Sequence, residues 1–188
     1  MKKMIASLLL AAVSFSYVEA QSSSDFQKGT VLTAANESLE GSIRDQAVKK
    51  GTILFQSASG KKTVYSPAEI AGYNLNGSSY ISYASDFYKV LVAPGKAGLY
   101  QRVTDNSGKM LYNGAEVISV TTAEGKAGDY YIQLQADSKW IRVTQKDFEA
   151  TISSLFSGCA AVTDAVKNKQ LDYNQLSKLV QQYNSCSK

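Results

Sequence analysis

The chain has 188 residues, with 20 basic and 16 acidic side chains, two cysteines and no histidine. The missing histidine excludes Ser-His-Asp and Cys-His nucleophile pairs, the His-Glu-x-x-His zinc site and imidazole acid–base work generally. The formal net charge of +4 is mild and dispersed, without the basic stripe that a phosphate backbone needs, which argues against nucleic acid as a partner.

Met1-Lys2-Lys3 is a basic opening, Met4 to Val13 an apolar stretch, and Val18-Glu19-Ala20 has small residues at the positions a signal peptidase reads. Residues 1–20 therefore read as a secretory signal cleaved after Ala20. The apolar run is too short for a membrane span, and no later run approaches the ~18 residues one needs. A short N-terminal anchor is the alternative. No cysteine follows the cleavage site, so a lipoprotein anchor is not expected, nor is a transmembrane segment in the mature chain. Removing Lys2, Lys3 and Glu19 leaves 18 basic and 15 acidic residues, a net charge of +3.

Residues 21–27 are polar and serine-rich and read as a disordered arm, with a single domain over 28–188. Its β-rich part, 28–144, opens on Gly29 to Thr33, a turn at Asn36-Glu37, and a return strand from Leu39 to Ile43. Lys28-Gly29-Thr30-Val31-Leu32 recurs as Lys50-Gly51-Thr52-Ile53-Leu54, which suggests two strands entered by the same turn chemistry. Ser59-Gly60 leads into Thr63 to Tyr65, and Ser66-Pro67-Ala68-Glu69-Ile70 reads as one helical turn. Strand-like runs follow at 72–75, 80–83, 88–92, 99–104, 109–112, 116–121, 131–135 and 140–143. Asn76-Gly77, Pro94-Gly95, Asn106-Ser107-Gly108 and Asn113-Gly114 punctuate them. So many short strands predict an α+β protein: an antiparallel β meander curled into a roll or partly open barrel, closed by a C-terminal cap of two to three short helices.

In that cap, 145–188, Phe148, Ile152, Leu155, Phe156, Cys159, Val162 and Val166 fall three and four apart, one apolar stripe along a helix. Thr144 with Asp147 offers a start, and Asp172 with Gln175 a capping box for a second run through Leu176, Leu179, Val180 and Tyr183. An unbroken helix to 168 would leave Cys159 about 9 Å out of register with Cys186, too far to bridge. A break at Ser157-Gly158 removes the conflict. Three short helices and a Cys159–Cys186 disulfide are expected, from the even count and the oxidising compartment. The alternative makes Cys159 a small buried hydrophobe and Cys186 a tail thiol.

Three runs, Tyr65 to Tyr73, Phe87 to Val92 leading into Gly98-Leu99-Tyr100, and Tyr183-Asn184-Ser185-Cys186, resemble an uncharacterised exported domain of Bacteroidota that stands alone or precedes an outer-membrane β-barrel. The resemblance implies residence in the periplasm, at the outer-membrane periphery or outside the cell. It implies no activity, no cofactor and no functional residues.

Chemistry is sparse. Ser-x-x-Lys occurs at Ser59 to Lys62 and Ser185 to Lys188, neither at a helix start that would aim the pair. Glu69, Asp86, Glu116 and Asp129 sit beside turns, but no spacing singles out a glycosidase pair. Asp105-Asn106-Ser107-Gly108 fits a β-turn better than a calcium loop. Five tyrosines, Tyr65, Tyr73, Tyr80, Tyr83 and Tyr88, crowd into 24 residues and form the candidate binding patch. A regular strand would put Tyr80 and Tyr83 on opposite faces, so all five cannot point one way. The sequence thus suggests a non-enzymatic envelope domain that binds a protein partner or supports an outer-membrane assembly. A glycan- or peptide-binding module with an extracellular ligand is the first alternative, and a carboxylate glycosidase the second.

Overall fold

A computed structural model describes residues 26–112, 117–119 and 122–186. The expected signal segment, the Asn113-Gly114 turn and Glu116 lie outside those residues. So does most of the arm, although Gln27, assigned to it above, opens the first strand.

Ten strands form one antiparallel sheet: β1 (Gln27–Thr33), β2 (Ser38–Gln46), β3 (Thr52–Ser57), β4 (Lys62–Tyr65), β5 (Ile70–Leu75), β6 (Ser78–Tyr83), β7 (Asp86–Val92), β8 (Ala97–Arg102), β11 (Tyr130–Leu134) and β12 (Trp140–Val143). Two short strands, β9 (Met110–Tyr112) and β10 (Val117–Ser119), pair with each other outside it. The sheet is open, so the architecture is a partly open roll with helices after it.

The spatial order β12-β11-β8-β7-β6-β5-β1-β2-β3-β4 departs from a plain meander at one point: β5 pairs with β1, not with β4. That departure forces the curl. Tyr65 and Ile70 are five residue steps apart, a reach of at most about 18 Å. Crossing a flat sheet from β4 to β5 would take about four strand spacings, roughly 19 Å, and the turn at residues 67–69 shortens the link further. The sheet must bend until its β4 edge nears β5. Val31, Ile43, Ile53, Phe55, Ile70, Tyr73, Leu75 and Phe87 fill the trough so formed. The run at 66–70 forms a single turn at residues 67–69, with the Glu69 amide donating to the Ser66 carbonyl at 3.1 Å and the Glu69 carboxylate accepting from the Ser66 amide at 2.7 Å and hydroxyl at 2.6 Å. A short helix that the sequence reading lacks, α1 (Ala47–Lys50), joins β2 to β3; Asp45 accepts from the Ala47 amide, and Gly51 ends it at φ 73°.

Three helices follow the sheet: α2 (Phe148–Leu155), α3 (Ala160–Lys167), and α4 (Leu176–Ser185), the last led in by a 3-10 turn at Tyr173–Gln175. The break falls at residues 156–159, and the Asp172–Gln175 capping box is formed on both sides. Their apolar stripes pack with Val92, Ala97, Leu99, Ile132 and Val143 of the sheet. A bulge in β7 between Val90 and Val92 turns both Leu91 and Val92 toward this helical core, while Val90 packs on the other side.

The chain end is fastened at four points. Cys159 and Cys186 are joined with Cα atoms 6.1 Å apart, a span a disulfide tolerates. Phe156 stacks on Tyr183 at 4.0 Å. Asn184 accepts from the Ala97 amide at 2.8 Å and donates to the Ala97 carbonyl at 2.9 Å, so its side chain pairs with β8 as a further strand would. Lys96 donates to the Cys186 carbonyl.

Replacing both cysteines, Cys159→Ser with Cys186→Ser, is expected to lower stability by about 3–4 kcal/mol, the chain-entropy worth of a loop of this size. Asn184→Ala should cost about 1–3 kcal/mol by leaving the Ala97 backbone unpaired. Urea denaturation of each variant measures both.

Candidate functional site

The side of the sheet away from the helices carries an aromatic cluster. Its members come from five strands: Tyr83 from β6, Tyr88 from β7, Tyr100 from β8, Tyr131 from β11 and Trp140 from β12. Register explains the grouping. Tyr88 pairs with Arg102 and Val90 with Tyr100, while Tyr100 pairs with Tyr131. Alternation therefore puts Tyr88, Val90, Tyr100, Arg102 and Tyr131 on one side, and Phe87, Lys89 and Leu99 on the other.

Tyr88, Tyr100 and Tyr131 are buried, and Trp140 is half-buried over them. Trp140 stacks on Tyr83 at 4.3 Å with the planes 8° apart, and meets Tyr100 at 4.3 Å and 31°. Two nearly parallel rings at that distance cannot share one side, so both Trp140 faces are used. Gly98 makes room for this packing: a Cβ there would sit 2.7 Å from the Tyr100 hydroxyl, so the Tyr100 ring leans over the bare backbone. Tyr83 is 37% exposed while its ring stacks on Trp140.

Beside the aromatic rings lies a buried ion pair. Arg102 and Asp86 are 2.7 Å apart and both side chains are fully buried. Asp86 stands two residues before Tyr88, and Tyr88 faces Arg102, so register alone brings the two charges together. Arg102 also donates to the carbonyls of Thr104, Ala123 and Gly125 at 2.9–3.0 Å, and to Thr122 Oγ1 at 3.1 Å and Asp105 at 3.3 Å. Asp86 accepts from Thr104 Oγ1 at 2.7 Å and the Asn106 amide at 3.0 Å. The Tyr131 hydroxyl donates to the Glu124 carbonyl. Burial, the largest effect, opposes the charge on Arg102, but the Asp86 carboxylate, Tyr131 and Tyr88 together outweigh it and the guanidinium pKa rises. Every donor of the fork is engaged by protein, so this group fastens Thr104 and Asp105 to Thr122, Ala123 and Gly125 and has none left for a ligand.

The five tyrosines of the sequence patch divide between the two sides of the sheet. Tyr65, Tyr73 and Tyr80 face the trough; Tyr73 is buried, and Tyr80 stacks on it at 4.4 Å. Tyr83 and Tyr88 face the aromatic cluster, and only Tyr83 of that pair reaches solvent. The structure thus brings Tyr83 and Tyr88 together with Tyr100, Tyr131 and Trp140, which the sequence reading did not single out. Their common face depends on the β8–β11 and β11–β12 registers, which no local spacing shows. Three of the carboxylates read as glycosidase candidates have structural partners: Glu69 holds Ser66, Asp86 holds Arg102, and Asp129 lies 2.8 Å from Arg142 and accepts from the Lys126 amide at 2.8 Å. The Asp105–Gly108 stretch is a turn, with Asp105 accepting from the Ser107 amide at 3.2 Å.

Burial holds the phenols in their protonated form. It pushes the Tyr88 hydroxyl far up, with Tyr131 adding to the shift, and raises Tyr100 and Tyr131; Tyr73 is raised far by burial and then by the charge of Asp45. In the unfolded chain these groups ionise near the ordinary value of 10.0. Stability drawn from keeping them protonated is therefore complete below that value and is lost as pH rises toward the folded pKa values. Urea midpoints should fall above pH 10.0, and the part of the phenolate absorbance that comes from Tyr73, Tyr88, Tyr100 and Tyr131 should appear only with unfolding. The Tyr73 and Tyr88 hydroxyls are also buried without a hydrogen-bond partner among the described residues. Tyr88→Phe is expected to raise stability by about 1–2 kcal/mol, because it removes an unsatisfied polar group without leaving a hole. Asp86→Ala should instead cost about 3–5 kcal/mol by stranding the Arg102 charge.

Comparison with family models, with curated proteins and with solved structures finds no match to this chain.

Proposed function

We propose that this chain is a non-catalytic domain exported to the cell envelope, where it binds a protein partner through the corner formed by Tyr83 and Trp140. The observation that carries the reading is the exposure of Tyr83, whose ring is stacked on Trp140 and so backed by three buried tyrosines. A stiff amphipathic ring on a preorganised base loses little entropy on association, which is what makes Tyr and Trp frequent anchors of protein interfaces. Export is supported by the basic-apolar-small pattern of residues 1–20 and by the Cys159–Cys186 pair, which suits an oxidising compartment. Among the described residues no helix is long and apolar enough to cross a membrane.

The glycan alternative is weaker on geometry. A sugar ring stacks on a free aromatic face, and the largest ring in the cluster has both faces covered by Tyr83 and Tyr100. A glycosidase is weaker still, since Glu69, Asp86 and Asp129 are each committed to a local hydrogen bond or ion pair.

Placing a photo-crosslinking amino acid at Tyr83 in the producing cells should give one discrete protein adduct. The same group at Asp164, exposed on α3, should give none. Without crosslinker, Tyr83→Ser should reduce recovery of that partner at least tenfold while leaving the fold intact. Equal labelling from both positions, or full recovery by Tyr83→Ser, would overturn the assignment.

A further inference from the structure

The trough end of the sheet has a second open surface, distinct from the Tyr83–Trp140 corner. Among the described residues, three of the four large hydrophobic side chains that stand exposed belong to this half: Leu32, Val48 at 77% and Val64 at 53%. Val48 sits on α1, with Lys49 and Lys50 next to it in sequence, and with Arg44 these residues line one shallow recess. Lys109 donates to the Lys50 carbonyl at 3.3 Å, adding a fourth cation at the same place. Along the outer side of the strands, Arg44 pairs with Leu54 and Leu54 with Val64. The Phe26 ring lies there, 5.3 Å from the same Arg44 and 5.4 Å from a fifth cation, Lys62.

The charge on this surface is one-sided. From Arg44 to Val64 there are five basic residues, Arg44, Lys49, Lys50, Lys61 and Lys62, and one acid, Asp45. Asp45 pairs with Ile53, a residue of the trough core, and its carboxylate accepts from the Ala47 amide. It is nevertheless exposed and lines the same recess as Arg44, Val48, Lys49 and Lys50, so one acid stands among these cations and the surface keeps a positive excess.

We propose that this surface docks on an anionic phospholipid bilayer, with Val48 entering the headgroup layer and Arg44, Lys49, Lys50 and Lys109 meeting the lipid phosphates. An aliphatic side chain held out on a short turn among lysines matches such a boundary, which is apolar below and negative above. An acidic protein would satisfy the cations but gives no reason for Val48 to stand in water. The inference does not depend on the Tyr83 reading: register puts Arg44 and Tyr83 on the same side of the sheet, but on β2 and β6, which β1 and β5 separate.

The test is sedimentation of the mature, disulfide-closed protein with vesicles. Binding is expected to vesicles of phosphatidylcholine mixed with phosphatidylglycerol, to be absent with phosphatidylcholine alone, and to weaken as salt is added. Each lysine at an anionic surface is worth about fivefold, so Lys49→Glu with Lys50→Glu should weaken binding at least about 25-fold. Val48→Asp should weaken it about tenfold or more, the loss expected when an aliphatic side chain is no longer buried. Lys167→Glu with Lys178→Glu, exposed on α3 and α4, makes the same change in net charge and should leave binding within about twofold, beyond the short reach of screened charges. Circular dichroism confirms that each variant is folded. The proposal is overturned if mixed vesicles do not bind, or if the helix pair loses as much as the α1 pair. It is also overturned if polyglutamate binds as tightly as vesicles and Val48→Asp changes nothing, which would assign the surface to an acidic protein.

Discussion

The β7–β8 hairpin is the wall shared by every packed region of this molecule. Phe87 belongs to the trough, Tyr88 to the aromatic cluster, and Val92 to the helical core. Across from them Leu99 joins the helices, Tyr100 the rings, and Arg102 the ion pair with Asp86. Adjacent residues can serve different cores because strand side chains alternate between two sides, and because the bulge after Val90 rotates the strand by one position midway. A hairpin covered on both sides has to satisfy most of its polar groups internally, the Tyr88 hydroxyl being the exception. That requirement accounts for the full hydrogen-bond complement of Arg102 and for the Asn184 amide that pairs with Ala97.

The disulfide extends the same logic to the chain end. The helices would otherwise be a short antiparallel pair with an open end. Cys186 ties that end back to Cys159 at the break before α3, and Lys96 with Asn184 ties it to the start of β8. The helical core is thereby held against one side of the hairpin while the aromatic cluster occupies the other. Tyr83 is left as the exposed edge of a group whose inner members cannot move. In that sense the proposed recognition corner is preorganised by packing on the far side of the sheet.

Local signals were readable in the sequence where they were complete. The helix break at Ser157-Gly158, the Asp172–Gln175 capping box and the Asn76-Gly77 hairpin turn, with φ of 50° and 73°, are each set by residues close to one another in the chain. The opposite facing of Tyr80 and Tyr83 followed from strand alternation alone. Other features had no local mark. Ala84 and Ser85 both take positive φ in the turn before Asp86, without a glycine or asparagine to announce it. Gly51 looked like the first residue of a strand and is the left-handed cap of α1. The pairing of β5 with β1 is a choice among distant partners, and the curl of the sheet follows from it. The aromatic cluster was illegible for the same reason, since Trp140 meets Tyr83 only after five strands have taken their registers.

Export followed by closure of the Cys159–Cys186 bond is the claim on which the functional reading turns. Intact-mass analysis of the protein recovered from the producing cells, with and without thiol alkylation, tests it most directly. The expected species begins at Gln21, is lighter by two hydrogens than its reduced form, and takes up no alkylating reagent until it is reduced. A chain that retains residues 1–20 and alkylates at both cysteines without reductant would contradict the account.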